Sequence, residues 1–510
     1  MFSITPKIEQ LDLYGQVQEI NDLPSRDPAK LLDLLAKHID LPTLIPEPFY
    51  IKYYSSNTNH REYSLESVLS VVLLMHYFKI TSTKIMKLLL ALSPEVREFC
   101  RIPEGLVPDE SVISKFKVTF VEEIRLFFEN LALHVIDIFA EYEKSLPEGS
   151  PNKGRSEIII YDTSGLKPKV KENNPKTLQS EIKRQSNYKK YLEAQGKGEN
   201  FNAYSAAYKN MPKHASVDNA IRLGYANGHF AYFYKWGMIA NGYGIPLHIH
   251  FLDKDFYDSF SDNFADKFDS PQDQKYAYDN ASLFPVLSNF HKRLNNHLGC
   301  NHNPCHNPCH NPFITFLADS ELDSYDNYGL LNELGYQKVL IPINDRNTPP
   351  DNAPIPINSE GIPCCPKDGL PFISDGSCKG KNRSFRLKYV CPKSKRANNK
   401  WSSDCDEKCR NTNSTVTSYT YPSGNLRVYS GVIRGSDEWK NTYKIRTVVE
   451  REISSMKSHP ALAHPNTHHR ASLRADVFLT ACTKLLTVIL AFAVGKPHYM
   501  RNLRNLLRAA

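Results

Sequence analysis

At 510 residues the chain has room for roughly two to four domains, and a hydrophobic share of 41% can build real cores. Its net charge of +8 is a mild basic excess, compatible with an acidic polymer as partner. Met1–Gly15 reads as a plain N-terminus without a secretory leader, which argues against a disulfide-stapled secreted class for the 11 cysteines and points to the cytoplasm.

The first 150 residues read as helical. Leu65–Phe78, Thr81–Leu92 and Ser111–Phe139 carry apolar residues at helical spacing, with Ser64, Thr81 and Asp109 or Ser111 as N-caps and Pro108 just ahead of the third. Short helices joined by such turns suit a helix-turn-helix reader of DNA, in which Ser111, Ser114, Lys115 and Lys117 would face a groove or phosphates. A plain bundle serving dimerisation is the other reading.

Glu157–Tyr161 reads as a short buried strand, and Asp162 follows it directly. The segment 165–222 is rich in Lys, Asn and Tyr, suited to tracking a DNA backbone or to forming a solvated insertion. Phe230–Asn241 and Ile245–Leu252 read as a hairpin about Gly242-Tyr243-Gly244, and 272–298 as a long helical stretch. A tandem Cys-His-Asn-Pro repeat within 299–312 places proline every four residues, which forbids helix and central strand, so an extended loop is expected. Strand 313–318 follows, with Asp319 at its end, then a helix Tyr325–Leu334 stopped by Gly335 and a strand at Val339–Ile341.

The segment 344–436 lacks helical periodicity, and Ser384–Val390 and Asn425–Ile433 look like strands. Between Lys379 and Lys400 stand nine Lys or Arg and no acid, a candidate phosphate-binding surface that includes Lys379, Lys381, Arg383, Arg386 and Lys388. Cys405 and Cys409 form a C-x3-C pair; with Cys365 and Cys391 they could supply four thiolates to a structural Zn²⁺, the alternative being reduced thiols.

Tyr443, Arg446, Glu450 and Lys457 follow. On a helix turning about 100° per residue they fall within an arc of roughly 60°, opposite Ile445, Val448, Val449 and Met456. A phenol, a guanidinium, a carboxylate and an ammonium in one column could bind a metal ion and grip phosphates. Val477–Val494 is nearly long enough to span a bilayer, but Lys484 at its centre favours a buried C-terminal helix and no membrane contact.

Two aspartates after apolar strands and a later glutamate can converge on one crevice of an open sheet, where their charge calls for cations. Asp162, Asp319 and Glu450 resemble the D-D-E triad of bacterial insertion-sequence transposases, and the Y-x2-R-x3-E-x6-K spacing matches the subgroup whose glutamate lies in that signature. The resemblance runs from about residue 60 to about 494, and His60–Phe120 resembles the helical N-terminal domain of these enzymes. It implies an α/β fold: an RNase H-like catalytic core, a helical N-terminal domain (1–150) and a β-rich insertion (344–436) before the catalytic Glu, with 151–343 and 437–510 as the two parts of the core. It further implies two Mg²⁺ or Mn²⁺ ions held by Asp162, Asp319 and Glu450, and phosphates held by Tyr443, Arg446 and Lys457. Double-stranded DNA (element ends and target) would be the partner, bound by a homodimer associated with the nucleoid. A nuclease that cleaves without strand transfer, or an inactive DNA-binding relic, are the alternatives.

Overall fold

A computed structural model of the chain describes residues 28–55, 61–197, 200–226, 229–253, 282–299, 311–344, 362–378, 385–397, 400–403, 417–421 and 429–510, with 358, 405, 426 and 427 between them. These residues form two compact units: 1–138 with 456–510, and 139–455. The division falls inside two helices, Val121–Ser145 and Thr447–Lys457. The C-terminal helix Arg470–Ala493 falls in the first unit with the N-terminal helices.

The first unit is helical. Leu65–Tyr77 starts where the Ser64 hydroxyl accepts from the Ser67 amide at 3.2 Å, and Asp109 caps Glu110–Thr119 by accepting from Ser111 at 3.0 Å. The second cap is Ser82, one residue past the expected Thr81. The single helix expected over Ser111–Phe139 breaks at Phe120, whose ring is drawn into a buried cluster with Phe49, Tyr53 and Phe116. Helix Arg470–Ala493 is long and apolar enough to cross a membrane by length and composition, but it is largely buried against Leu65–Tyr77 and Glu110–Thr119. Its apolar residues form the centre of this unit's core.

That helix also buries Asp476, which accepts from Lys117 Nζ at 2.7 Å and lies 3.3 Å from His76 Nε2. Burial pushes the Asp476 carboxyl up, but Lys117 and His76 outweigh it and hold the group below the usual carboxylate range. Lys117, expected to face DNA, is thus committed to an internal ion pair.

The second unit is built on a mixed sheet of seven strands: β1 (Ile158–Leu166), β2 (His214–Ala215), β3 (Asp218–Ala226), β4 (His229–Asn241), β5 (Pro246–Phe251), β6 (Thr315–Leu317) and β7 (Lys338–Leu340). β1 is central. It runs antiparallel to β4 and parallel to β6, which in turn runs parallel to β7. The far edge of β4 is shared: Phe230–Tyr234 pair with β3, and Trp236–Ala240 with β5. The expected hairpin is present, with Gly244 at φ +77° in its turn. Helix Leu283–His297 occupies the described end of the stretch read as 272–298, whose other part lies outside the described residues, as does the Cys-His-Asn-Pro repeat from Cys300 to His310.

Between β7 and the signature helix the named elements of the described chain are all strands: β8 (Ile373–Cys378), β9 (Arg386–Val390), β10 (Ser394–Ala397), β11 (Lys400–Ser403) and β12 (Thr417–Thr420), in a three-stranded sheet β12-β9-β8 and a hairpin β10-β11. Asn425–Ile433 is not a strand where it is described. Arg427 turns inward to a buried ion pair with Asp323 at 2.7 Å, and Gly431 sits at φ +92° where a Cβ would run into the Gln337 carbonyl, a place no side chain fits. Arg434 then donates to the Ile341 carbonyl at 2.6 Å and the Tyr328 hydroxyl at 2.7 Å. These side-chain contacts, together with the Val339 amide of β7 donating to the Ser430 carbonyl at 2.8 Å, close the insertion onto the sheet.

Candidate active site

The register of the central strands determines where the two aspartates stand. The last parallel pair between β1 and β6 is Ile160 with Leu317. Asp162 and Asp319 each come two residues later. Paired residues on parallel neighbours share a face, and a step of two returns to it. Both carboxylates therefore stand on one face at one level, on strands spaced roughly 5 Å apart. β1 continues past Asp162 to Leu166, because β4 keeps pairing after β6 has ended. Asp162 is thus a strand residue at the rim of the parallel part, where the sequence suggested a strand end.

Local bonds hold both carboxylates. Asp162 Oδ1 accepts from the Thr163 amide at 2.8 Å. Asp319 Oδ1 accepts from the Glu321 amide at 2.6 Å and so caps the short 3₁₀ turn Ser320–Leu322.

The signature segment is not one continuous α-helix. Asp437–Tyr443 is α-helical, Lys444–Arg446 is 3₁₀, and Thr447–Lys457 is α-helical again. The tighter turn changes the angular column read from the sequence. Tyr443 still faces the sheet: its hydroxyl donates to the Ala318 carbonyl at 3.3 Å, one residue before Asp319. Its ring stacks on Trp439 at 4.8 Å. Lys338 on β7 pairs with Glu438 at 2.7 Å and fastens the start of the helix.

Arg446 and Glu450, one turn apart, form an ion pair. Arg446 also lies in the field of Asp162 and Asp319. Burial opposes its charge, but Tyr443, Glu450, Asp162 and Asp319 more than compensate and raise its pKa further. Asp162 shows the reverse. Burial is the main cause that pushes its carboxyl up to about 6; Arg446 and the Thr163 amide pull it down, and Asp319 and Glu450 push it up. Burial likewise pushes the Tyr443 phenol up to about 12. Lys457 lies seven residues beyond Glu450, about 10 Å along the axis, and burial lowers its pKa.

Asp162, Asp319, Glu450, Arg446 and Tyr443 are thus brought into one electrostatic neighbourhood. As placed, the carboxylates do not close around an ion: among the described residues no group of three His, Cys, Asp or Glu is arranged to hold a metal. The two observations are compatible, since Arg446 draws Glu450 to itself. The donor set still suits a hard cation, because three carboxylates offer only oxygen and their mutual repulsion helps drive Asp162 toward neutrality.

The other expected site residues lie in the insertion. Lys379, Lys381, Arg383 and Cys409 fall outside the described residues. Arg386 stacks over the Tyr419 ring at 4.0 Å, and Lys388 pairs with Asp375 at 2.6 Å, so both are engaged within their own sheet. Cys365 and Cys391 are buried with Phe372, Leu387 and Tyr389 in an apolar cluster, and Cys405 is half-buried. Sequence reasoning missed Arg427 and Arg434; the nearby acid Asp323 is part of an Asp-Ser-Tyr-Asp run that gives no sign of a buried partner 104 residues away.

Residues 20–118 match a family model described as Transposase domain (DUF772). The described part of the match, residues 28–118, lies in the helical unit, which carries none of the three carboxylates. No curated protein gives a significant match to the chain, and neither does any solved structure.

Proposed function

We propose that the protein is a DNA transposase with an RNase H-like core, cutting the ends of its own mobile element and joining them to target DNA. The observation that carries this reading is the register just described for Asp162 and Asp319, with Arg446 and Glu450 in the same electrostatic neighbourhood. The match of residues 20–118 to a transposase domain supports it independently, from the other unit.

Asp162, Asp319 and Glu450 would hold Mg²⁺ or Mn²⁺. When bound, the metal supplies Lewis-acid activation of a nucleophilic oxygen and of the leaving oxygen in phosphoryl transfer. The chain's own residues supply position and charge. Tyr443 anchors the end of Asp437–Tyr443 to the Ala318 carbonyl, next to Asp319, and the 3₁₀ step at Lys444–Arg446 leads from there to the Glu450 helix. Arg446 is the cation already among the carboxylates; release from Glu450 would leave its fork free for a phosphate. Lys457 adds a further positive charge along the same helix.

The test uses the full chain and a plasmid carrying its gene with flanking DNA, so that the element's own ends are present. Cleavage at the ends followed by joining into a second plasmid supports a transposase. Cleavage at any sequence without joined products would mean a nuclease instead.

A further inference from the structure

The strand bearing Asp162 leads into a helix, Pro175–Ala194, that none of the chemistry above uses. Its cations are arranged in a regular stripe. Lys176, Lys183 and Lys190 recur every seven residues, a spacing that drifts only about 20° per step around a helix. All three are exposed, and none of them has an ion-pair partner among the described residues. Ser180, Asn187 and Tyr191 fall on the same face, with Arg184 at its edge. The acids of the helix lie off that face: Glu181 pairs with Arg184 at 2.7 Å and Glu193 with Lys189 at 3.7 Å. Leu178, Ile182, Gln185 and Leu192 form the opposite, less exposed side. Tyr188 and Tyr191 are 50% and 59% exposed, with ring centroids 6.3 Å apart.

The helix is fixed to the sheet at its root. Asn173 donates to the Tyr232 carbonyl at 2.9 Å and accepts from the Tyr232 amide at 2.9 Å, and Tyr232 lies on β4, the neighbour of the Asp162 strand. Glu172 is buried and accepts from the Ser216 amide at 2.9 Å. Asn174 then caps the helix by accepting from Lys176 at 3.0 Å. Asp162 and Leu166, where β1 ends, are roughly 13 Å apart along the strand. A helix rooted this way presents its charges at a set place relative to the carboxylates.

We infer that Pro175–Ala194 is a phosphate rail for duplex DNA flanking the cleavage position, a surface that rests on the proposed DNA chemistry and extends it. Three lysines over fourteen residues span about 21 Å, the rise of roughly six base pairs. An unpaired positive stripe without carboxylates complements a phosphate backbone, and the tyrosine hydroxyls can donate to phosphate or sugar oxygens. Such a rail sets register and adds affinity without reading bases.

The test measures binding of the full chain to a labelled 40-base-pair duplex in EDTA, by anisotropy across a salt series. Lys176→Gln, Lys183→Gln and Lys190→Gln combined should weaken binding at least tenfold at moderate salt. The log–log salt slope should shrink by up to about 0.9 for each phosphate that the variant no longer neutralises. Replacing the same three by Arg should restore affinity and slope, which a merely misfolded helix would not allow. Unchanged affinity and slope in the Gln variant would overturn the rail, and would leave an acidic protein surface as the occupant to consider. A weakening that Arg does not restore would overturn it as well. Because EDTA removes cleavage, the result is independent of the carboxylate chemistry: Asp162→Ala should bind as wild type even where it cannot cut.

Discussion

At the scale of single residues, Asp162 carries the sharpest expectation. Its carboxyl keeps a proton up to about pH 6 in the folded protein, whereas an unfolded Asp releases it near 4. The folded state therefore loses stability as pH rises through that interval. Asp162→Asn should stabilise the protein at pH 7.5 by roughly 1–3 kcal/mol and leave it unchanged below pH 4, as read by denaturant midpoints. A loss of stability at pH 7.5 would show that the burial is misjudged. The same proton competes with a metal. Cleavage in Mg²⁺ should fall as pH drops through about 6, and the midpoint should move lower as Mg²⁺ is raised. A midpoint indifferent to Mg²⁺ would detach Asp162 from metal binding. Tyr443→Phe removes only the hydroxyl bound to the Ala318 carbonyl. It should reduce the cleavage rate about tenfold while leaving DNA affinity intact, as a positioning group does; weakened affinity would point to a direct phosphate contact.

At the scale of elements, two helices have roles that pattern alone misjudged. Glu110–Thr119 was legible as a capped helix from Pro108, Asp109 and its apolar spacing, but the side chain of Lys117 was not. Its partner Asp476 lies 359 residues away, and only packing of the C-terminal helix brings the two together. Lys117→Met would leave Asp476 buried without its ammonium partner, at a cost of about 3–5 kcal/mol in a denaturation curve. Intact stability with weakened DNA binding would restore the outward-facing reading. The signature helix was legible as a period of core and polar positions. Its 3₁₀ step at Lys444–Arg446 was not, since nothing in Tyr-Lys-Ile-Arg forbids a regular α-helix. The strands around Asp162 and Asp319 were plain from their apolar runs, and their shared level follows only from the register of β1 on β6. The irregular path at Arg427–Arg434 was hidden for the same reason as Lys117: it depends on buried charge partners far along the chain.

At the scale of the whole molecule, the described residues divide into a helical unit, 28–138 with 456–510, and a sheet unit that carries the carboxylates. The transposase-domain match lies in the first, and the chemistry proposed here lies in the second. The carboxylate assignment can therefore be tested by substitutions that leave the helical unit untouched. Cleavage of a supercoiled plasmid carrying the element's flanking ends is followed in Mg²⁺ for the wild type and for Asp162→Ala, Asp319→Ala and Glu450→Ala, with duplex affinity measured alongside. Three carboxylates that hold the metal predict wild-type cutting that EDTA abolishes, at least a hundredfold slower cutting in each variant, and affinity within about threefold of wild type in all of them. Any one of the three cutting at the wild-type rate would contradict the assignment.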